Sequence, residues 1–200
     1  MKLYVKIIGT NILIVLTINM AYCLIANLSL GLAMLYAFLS LAICGGTCGI
    51  ISILSHLLPK VFFSQKNPCF HVFGFERNLY EKIMIKKWKD KIPELGKLCG
   101  FKKDKLYNPN DPIYMKTAIQ QNCIAESLHS LSALIGIAIF FVLPSSFVLS
   151  VGIPVFVLNS VLHGLPVLIQ RYHRPKFVRI YEYTLKRNSI DLNMKIPSAN

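Results

Sequence analysis

Residues 117–170 read TAIQQNCIAESLHSLSALIGIAIFFVLPSSFVLSVGIPVFVLNSVLHGLPVLIQ, and the one charged side chain among them is Glu126. At roughly 20 apolar residues per crossing, this stretch holds two membrane-spanning helices, with Pro144-Ser145-Ser146 as the break between them. A second stretch of the same kind precedes it. From Ile7 to Pro59 there is no Asp, Glu, Lys or Arg, and Asn27, Ser29 and Gly31 mark a turn in its middle. The sequence therefore predicts an all-α integral membrane protein with four transmembrane helices arranged as two hairpins. The crossings fall near residues 7–26, 32–57, 113–143 and 147–169. Apolar residues make up 54% of the chain, and a soluble core would not need two such uncharged runs.

The charges lie almost wholly outside those runs. Lys and Arg number 22 against 9 Asp and Glu, for a net charge of +13. Lys2 and Lys6 precede the first hairpin, a dense set runs from Lys60 to Lys116 between the hairpins, and another from Arg171 to Lys195 follows the second. Basic residues resist translocation and meet anionic headgroups on the cytoplasmic side. The expected topology is a multi-pass cell-membrane protein with both termini and the central segment in the cytoplasm. Membrane lipids account for the charge as partners, and no nucleic acid is expected. The segments are then 1–59, the first hairpin; 60–115, a cytoplasmic, interfacial helical insertion; 116–170, the second hairpin; and 171–200, a basic cytoplasmic tail with a short basic helix. The first apolar run has the look of a signal peptide but no clean small-x-small site after it, so a retained anchor is expected.

Within the insertion, Leu79, Tyr80, Ile83, Met84 and Trp88 form an apolar stripe at helical spacing, with Lys82, Lys86 and Lys89 off it. That pattern predicts one helix lying on the bilayer surface and ended by Pro93 and Gly96. Lys87 falls inside the stripe, where it can snorkel to headgroups or face a ligand. Gly45 and Gly49, four apart, would let another helix come close. Cys44 and Cys48 read as small packing residues, and Cys69 and Cys99 fall in a reducing compartment, so no disulfide is predicted.

Glu126 is the residue that most needs a reason. A carboxylate roughly 15 Å along the helix axis past Lys116 must face a polar cavity or partners. His129 is three residues on, hence on the same helical face. A carboxylate that orients and polarises an imidazole makes it a general base. Asn159 and His163, four apart on the next helix, sit at a comparable depth and would join the same pocket. Two His and one carboxylate is also a possible zinc or iron set. The further carboxylates of a di-iron bundle are missing from the crossings, and no metal is expected. At the inner surface Gln170, Arg171, Tyr172 and Arg174, with Lys86, Lys87 and Lys89, form a basic rim. It suits headgroups or a phosphorylated donor such as coenzyme A. There is no Gly-rich nucleotide fingerprint and no GxSxG elbow.

Four motifs in order give the chain a family resemblance over roughly residues 70 to 180. They are Phe73-Gly74-Phe75-Glu76, Lys86-Lys87-Trp88-Lys89-Asp90-Lys91-Ile92, Ala125-Glu126-Ser127-Leu128-His129, and Pro166 to Pro175 with Gln170-Arg171-Tyr172-His173-Arg174 inside it. The set resembles the glycosyl-4,4'-diaponeurosporenoate acyltransferases, small bacterial membrane enzymes of carotenoid pigment synthesis. The resemblance implies that Glu126 and His129 are the catalytic pair. It also implies that Lys87, Trp88, Gln170, Arg171, Tyr172 and Arg174 line the site. The implied reaction esterifies a fatty acyl group onto a sugar hydroxyl of a glycosylated lipid, with no cofactor beyond acyl-CoA or another activated acyl donor as co-substrate. The competing readings are a non-enzymatic lipid-binding or assembly protein and a metal-dependent membrane lipid enzyme.

Overall fold

The computed structural model describes residues 2–92 and 106–195, so Pro93, Gly96 and Cys99 lie outside the described residues. The described residues are helical and contain no strand. Helices α1 (Lys2–Ile25) and α2 (Leu30–Leu57) form the first hairpin. Asn27 takes the left-handed conformation that ends α1, at φ 51°, and Ser29 caps α2 by accepting from the Leu32 amide. Helix α5 (Pro112–Ile135) continues through a 3₁₀ turn into α6 (Ile139–Val142). After Pro144 come the single turn α7 (Ser145–Phe147), a π turn and α8 (Ile153–Lys195).

Three of these stretches are long and apolar enough to cross a membrane: Leu30–Ser55, Pro112–Val142 and Ser145–Ile190. The apolar part of α1, Gly9–Ile25, is shorter. Large apolar side chains stand outward on α2, among them Leu35, Phe38, Ile53 and Leu57. Water would penalise that face and hydrocarbon would not.

Two expectations are corrected. The tail carries no separate short helix: α8 is one helix of 43 residues that passes through Pro166 and Pro175. A proline removes one intrahelical hydrogen bond, but Arg171 and Arg174 are tied to buried partners at a spacing that only a helix provides. The interfacial helix, in turn, is not continuous. Met84 adopts a left-handed conformation at φ 48°, splitting the stripe into α3 (Gly74–Lys82) and α4 (Ile85–Trp88). The Trp88 indole N–H donates to the Ile83 carbonyl at 2.9 Å and staples the bend.

The chain divides into two compact units, residues 1–58 with 127–167 and residues 59–126 with 168–200. The first is built on Val15, Cys23, Ala33, Ala37, Ile139 and Val151. Ala33 and Ala37 are small enough for α1 to pack tightly on α2, where Asn19 donates to the Ala33 carbonyl at 3.1 Å. Among the described residues nothing lies within 4 Å of where a Cβ would stand at Gly45, Gly46 or Gly49. The second unit is built on Phe63, Phe70, Met115, Ile119, Cys123 and Phe177.

Candidate functional site

The second unit gathers four charges, three of them buried. Glu76 sits in the first turn of α3, where its Oε1 accepts the Phe73 amide at 2.9 Å, the carboxylate half of a capping box. Its Oε2 accepts from the Tyr80 hydroxyl at 2.5 Å, one turn on. Arg171 grips the same carboxylate with two nitrogens, Nε at 2.9 Å and Nη2 at 2.5 Å. Its Nη1 donates to Glu126 Oε1 at 2.7 Å, and Nη2 also reaches the His71 carbonyl at 2.6 Å.

Arg174 donates to the other oxygen of Glu126 through Nη2, to the Phe70 carbonyl at 2.7 Å and to Asn122 Oδ1 at 3.0 Å. Asn122 Nδ2 then donates to Gln170 Oε1 at 2.6 Å. Glu76 and Glu126 are each 5% exposed and Arg174 2%. Two carboxylates and two guanidiniums so placed are mutually neutral, and the planar forks fill their hydrogen-bonding sites. The i, i+3 pair Arg171 and Arg174 faces the i, i+4 pair Asn122 and Glu126, which is why helical regularity matters here.

Burial works to raise the Glu76 carboxyl. Arg171, the Tyr80 hydroxyl and the Phe73 amide outweigh it and hold the pKa at about 2, below the ordinary 4.5. A depressed carboxylate contributes stability that is full above its unfolded value and is lost as pH falls toward the folded one. The melting temperature of the detergent-solubilised protein should therefore decline as pH drops from 4.5 toward 2. Glu76→Gln should start lower and show a flatter profile across that window. An equal slope in wild type and variant would remove Glu76 from the acid transition.

The first unit holds the second polar cluster. His129 Nδ1 and His163 Nδ1 are 3.1 Å apart. One proton lies between them, so one ring donates and the other accepts, according to tautomer. One turn away on each helix, Asn159 Nδ2 donates to the Ser132 carbonyl at 2.9 Å. A Cβ added at Gly136 would stand 2.4 Å from that amide nitrogen, so glycine is what lets the Asn159 side chain lie against the backbone there. Ser132 is 3% exposed, and among the described residues its hydroxyl oxygen has no hydrogen-bond partner. Buried hydroxyls are normally bonded, so Ser132 is an exception in this cluster.

The remaining expected site residues fall as follows. Lys87 and Tyr172 line a groove of about 650 Å³ in the second unit. Trp88 is the staple of the α3–α4 bend, and Lys89 pairs with its neighbour Asp90 at 2.5 Å. Gln170 is buried and bonded to Asn122. Glu76, Tyr80, Asn122 and Ser132 were missed as site residues. The one sequence signal for Glu76 was its place in the Phe73-Gly74-Phe75-Glu76 motif in a chain poor in acids. Among the described residues no three His, Cys, Asp or Glu side chains gather closely enough to hold a metal ion.

No curated protein and no solved structure matches the chain. A family model described as glycosyl-4,4'-diaponeurosporenoate acyltransferase matches residues 59–183, well over half of its length. The chain belongs to the glycosyl-4,4'-diaponeurosporenoate acyltransferase family and is an acyltransferase.

Proposed function

We propose that this protein transfers a fatty acyl group from an activated donor to a sugar hydroxyl of a glycosylated isoprenoid or related glycolipid at the cytoplasmic leaflet. In this reading α1 is a fourth crossing, and both termini and the central segment face the cytoplasm. The basic residues flanking the apolar runs support that orientation.

The observation that carries the chemistry is the His129–His163 contact. The acceptor oxygen attacks the acyl carbonyl carbon as its proton passes to His129. The bond from the carbonyl carbon to the leaving group then breaks, and the leaving group takes the proton back. The positive charge on the imidazole pair is shared through Nδ1 while the tetrahedral intermediate exists. Glu126, one turn earlier on α5, is held by Arg171 and Arg174. Ser132 offers its hydroxyl to the sugar. The buried network orders the helices and holds no substrate phosphate, because both guanidiniums are occupied by carboxylates.

The test is acyl transfer by purified protein in detergent, with radiolabelled fatty acyl thioester and a glycosylated carotenoid acid as acceptor. A labelled ester that is cleaved by mild base is the expected product. Absence of any ester across glycosylated acceptors, with folded protein, would favour a lipid-binding or assembly role.

A further inference from the structure

The second unit has a groove whose wall combines two chemistries. Its apolar side is Val72, Phe73, Met84 and Ile85, with Phe73 and Met84 each more than half exposed. Its charged rim is Arg77, Lys86 and Lys87, with one carboxylate, Glu81, among them. The left-handed turn at Met84 puts α4 beside α3, so that cations from two helices meet along one groove. The Tyr80 and Tyr172 rings, edge to face at 5.5 Å, close one side.

The rim is not neutralised as the buried network is. Its one carboxylate among the described residues, Glu81, stands 3.6 Å from Arg77 in a pair that is exposed on both sides. Exposed pairs of that kind are worth little and exchange readily for a better anion. Arg171 and Arg174, the cations that the sequence pattern puts forward for phosphate, are satisfied by Glu76 and Glu126.

We propose that this groove binds the acyl donor, as a fatty acyl thioester on a phosphate-bearing carrier of the coenzyme A class. The phosphates sit on Arg77, Lys86 and Lys87, and the pantetheine arm and the start of the acyl chain lie along Val72, Phe73, Met84 and Ile85. The volume, about 650 Å³, takes such an arm and falls within the range of small-molecule sites. The assignment of the ligand as donor rests on the acyl-transfer reading; the groove's affinity for a phosphate-bearing thioester carrier does not.

The experiment is direct binding to the full-length protein in neutral detergent, with a non-transferable dodecyl-coenzyme A thioether as probe. The thioether should bind, more weakly as salt rises. Arg77→Ala/Lys86→Ala/Lys87→Ala should weaken it roughly 30-fold. Lys66→Ala/Lys82→Ala/Lys176→Ala, which removes the same charge from exposed positions outside the groove, should bind as wild type does. Dodecyl-pantetheine without phosphates should bind as poorly to wild type as the thioether binds to the groove variant.

Equal thioether binding by both triple variants would overturn the proposal. So would phosphatidylglycerol micelles displacing the thioether while dodecyl-coenzyme A fails to displace labelled phosphatidylglycerol, since the groove would then be a lipid site. Binding as described with no ester formed on any acceptor would leave this site standing and sink the acyl-transfer reading instead.

Discussion

Arg174→Met should destabilise the protein more than any other single change to its polar residues. The substitution keeps the bulk of the stem and deletes the guanidinium. Glu126 then loses the donor on one oxygen, and the Phe70 carbonyl and Asn122 Oδ1 lose theirs. Breaking a buried ion pair by removing one partner costs about 3–5 kcal/mol, because the other charge is left in a medium that cannot solvate it. For a chain of this length that is a drop of roughly 10 °C in melting temperature.

Arg174→Lys should fall between wild type and Arg174→Met. It keeps the charge, but an ammonium on a flexible stem cannot hold three acceptors at fixed angles as the planar fork does. Arg174→Met/Glu126→Leu, which removes both charges on that side, should recover part of the loss, although Arg171 still keeps one carboxylate. Thermal melting followed by circular dichroism in one detergent checks all three. A melt for Arg174→Met within about 2 °C of wild type would mean that the network contributes far less than buried pairs do.

That network also shows what a single sequence can and cannot disclose. The helical hairpins were legible because absence of charge is a local property, as in the runs from Ile7 to Pro59 and from Thr117 to Gln170. Glu126 stood out for the same reason. Its partners did not, because 45 and 48 residues separate it from Arg171 and Arg174. Glu76 is 95 residues from Arg171, and its place in the Phe73-Gly74-Phe75-Glu76 motif says nothing of that partner. In the sequence those two arginines look like open cations at a membrane surface, since a basic cluster looks alike whether it meets phosphates or buried carboxylates.

The bend at Met84 was invisible because the apolar stripe keeps its spacing through it. The Trp88 indole N–H to the Ile83 carbonyl decides the matter, and such a bond has no signature in the pattern. The continuous α8 was hidden by two prolines, which argue for breaks unless tertiary contacts override them. The pairing of His129 with His163 was half legible. Helix periodicity placed each on a face with a polar neighbour, and only the packing brings Nδ1 to Nδ1.

The second large effect is on turnover. His129→Ala should lower kcat for acyl transfer by about 10²–10⁴-fold, the usual contribution of a general base. Stability should change less than in Arg174→Met, because His129 is only half-buried. His163→Ala removes the Nδ1 partner and leaves the base itself in place, so the loss should be smaller, about tenfold. His163→Asn should restore part of it, since an amide can hold a hydrogen bond where Nδ1 did. That rescue separates a positioning role from a packing role, because asparagine fills less of the ring's volume than it restores of its hydrogen bonding. The donor's KM should stay near wild type in all three variants, as the groove residues are untouched. A His129→Ala protein that melts normally and still esterifies the acceptor at the wild-type rate would remove the imidazole from the proton transfer, and the base would have to be sought elsewhere.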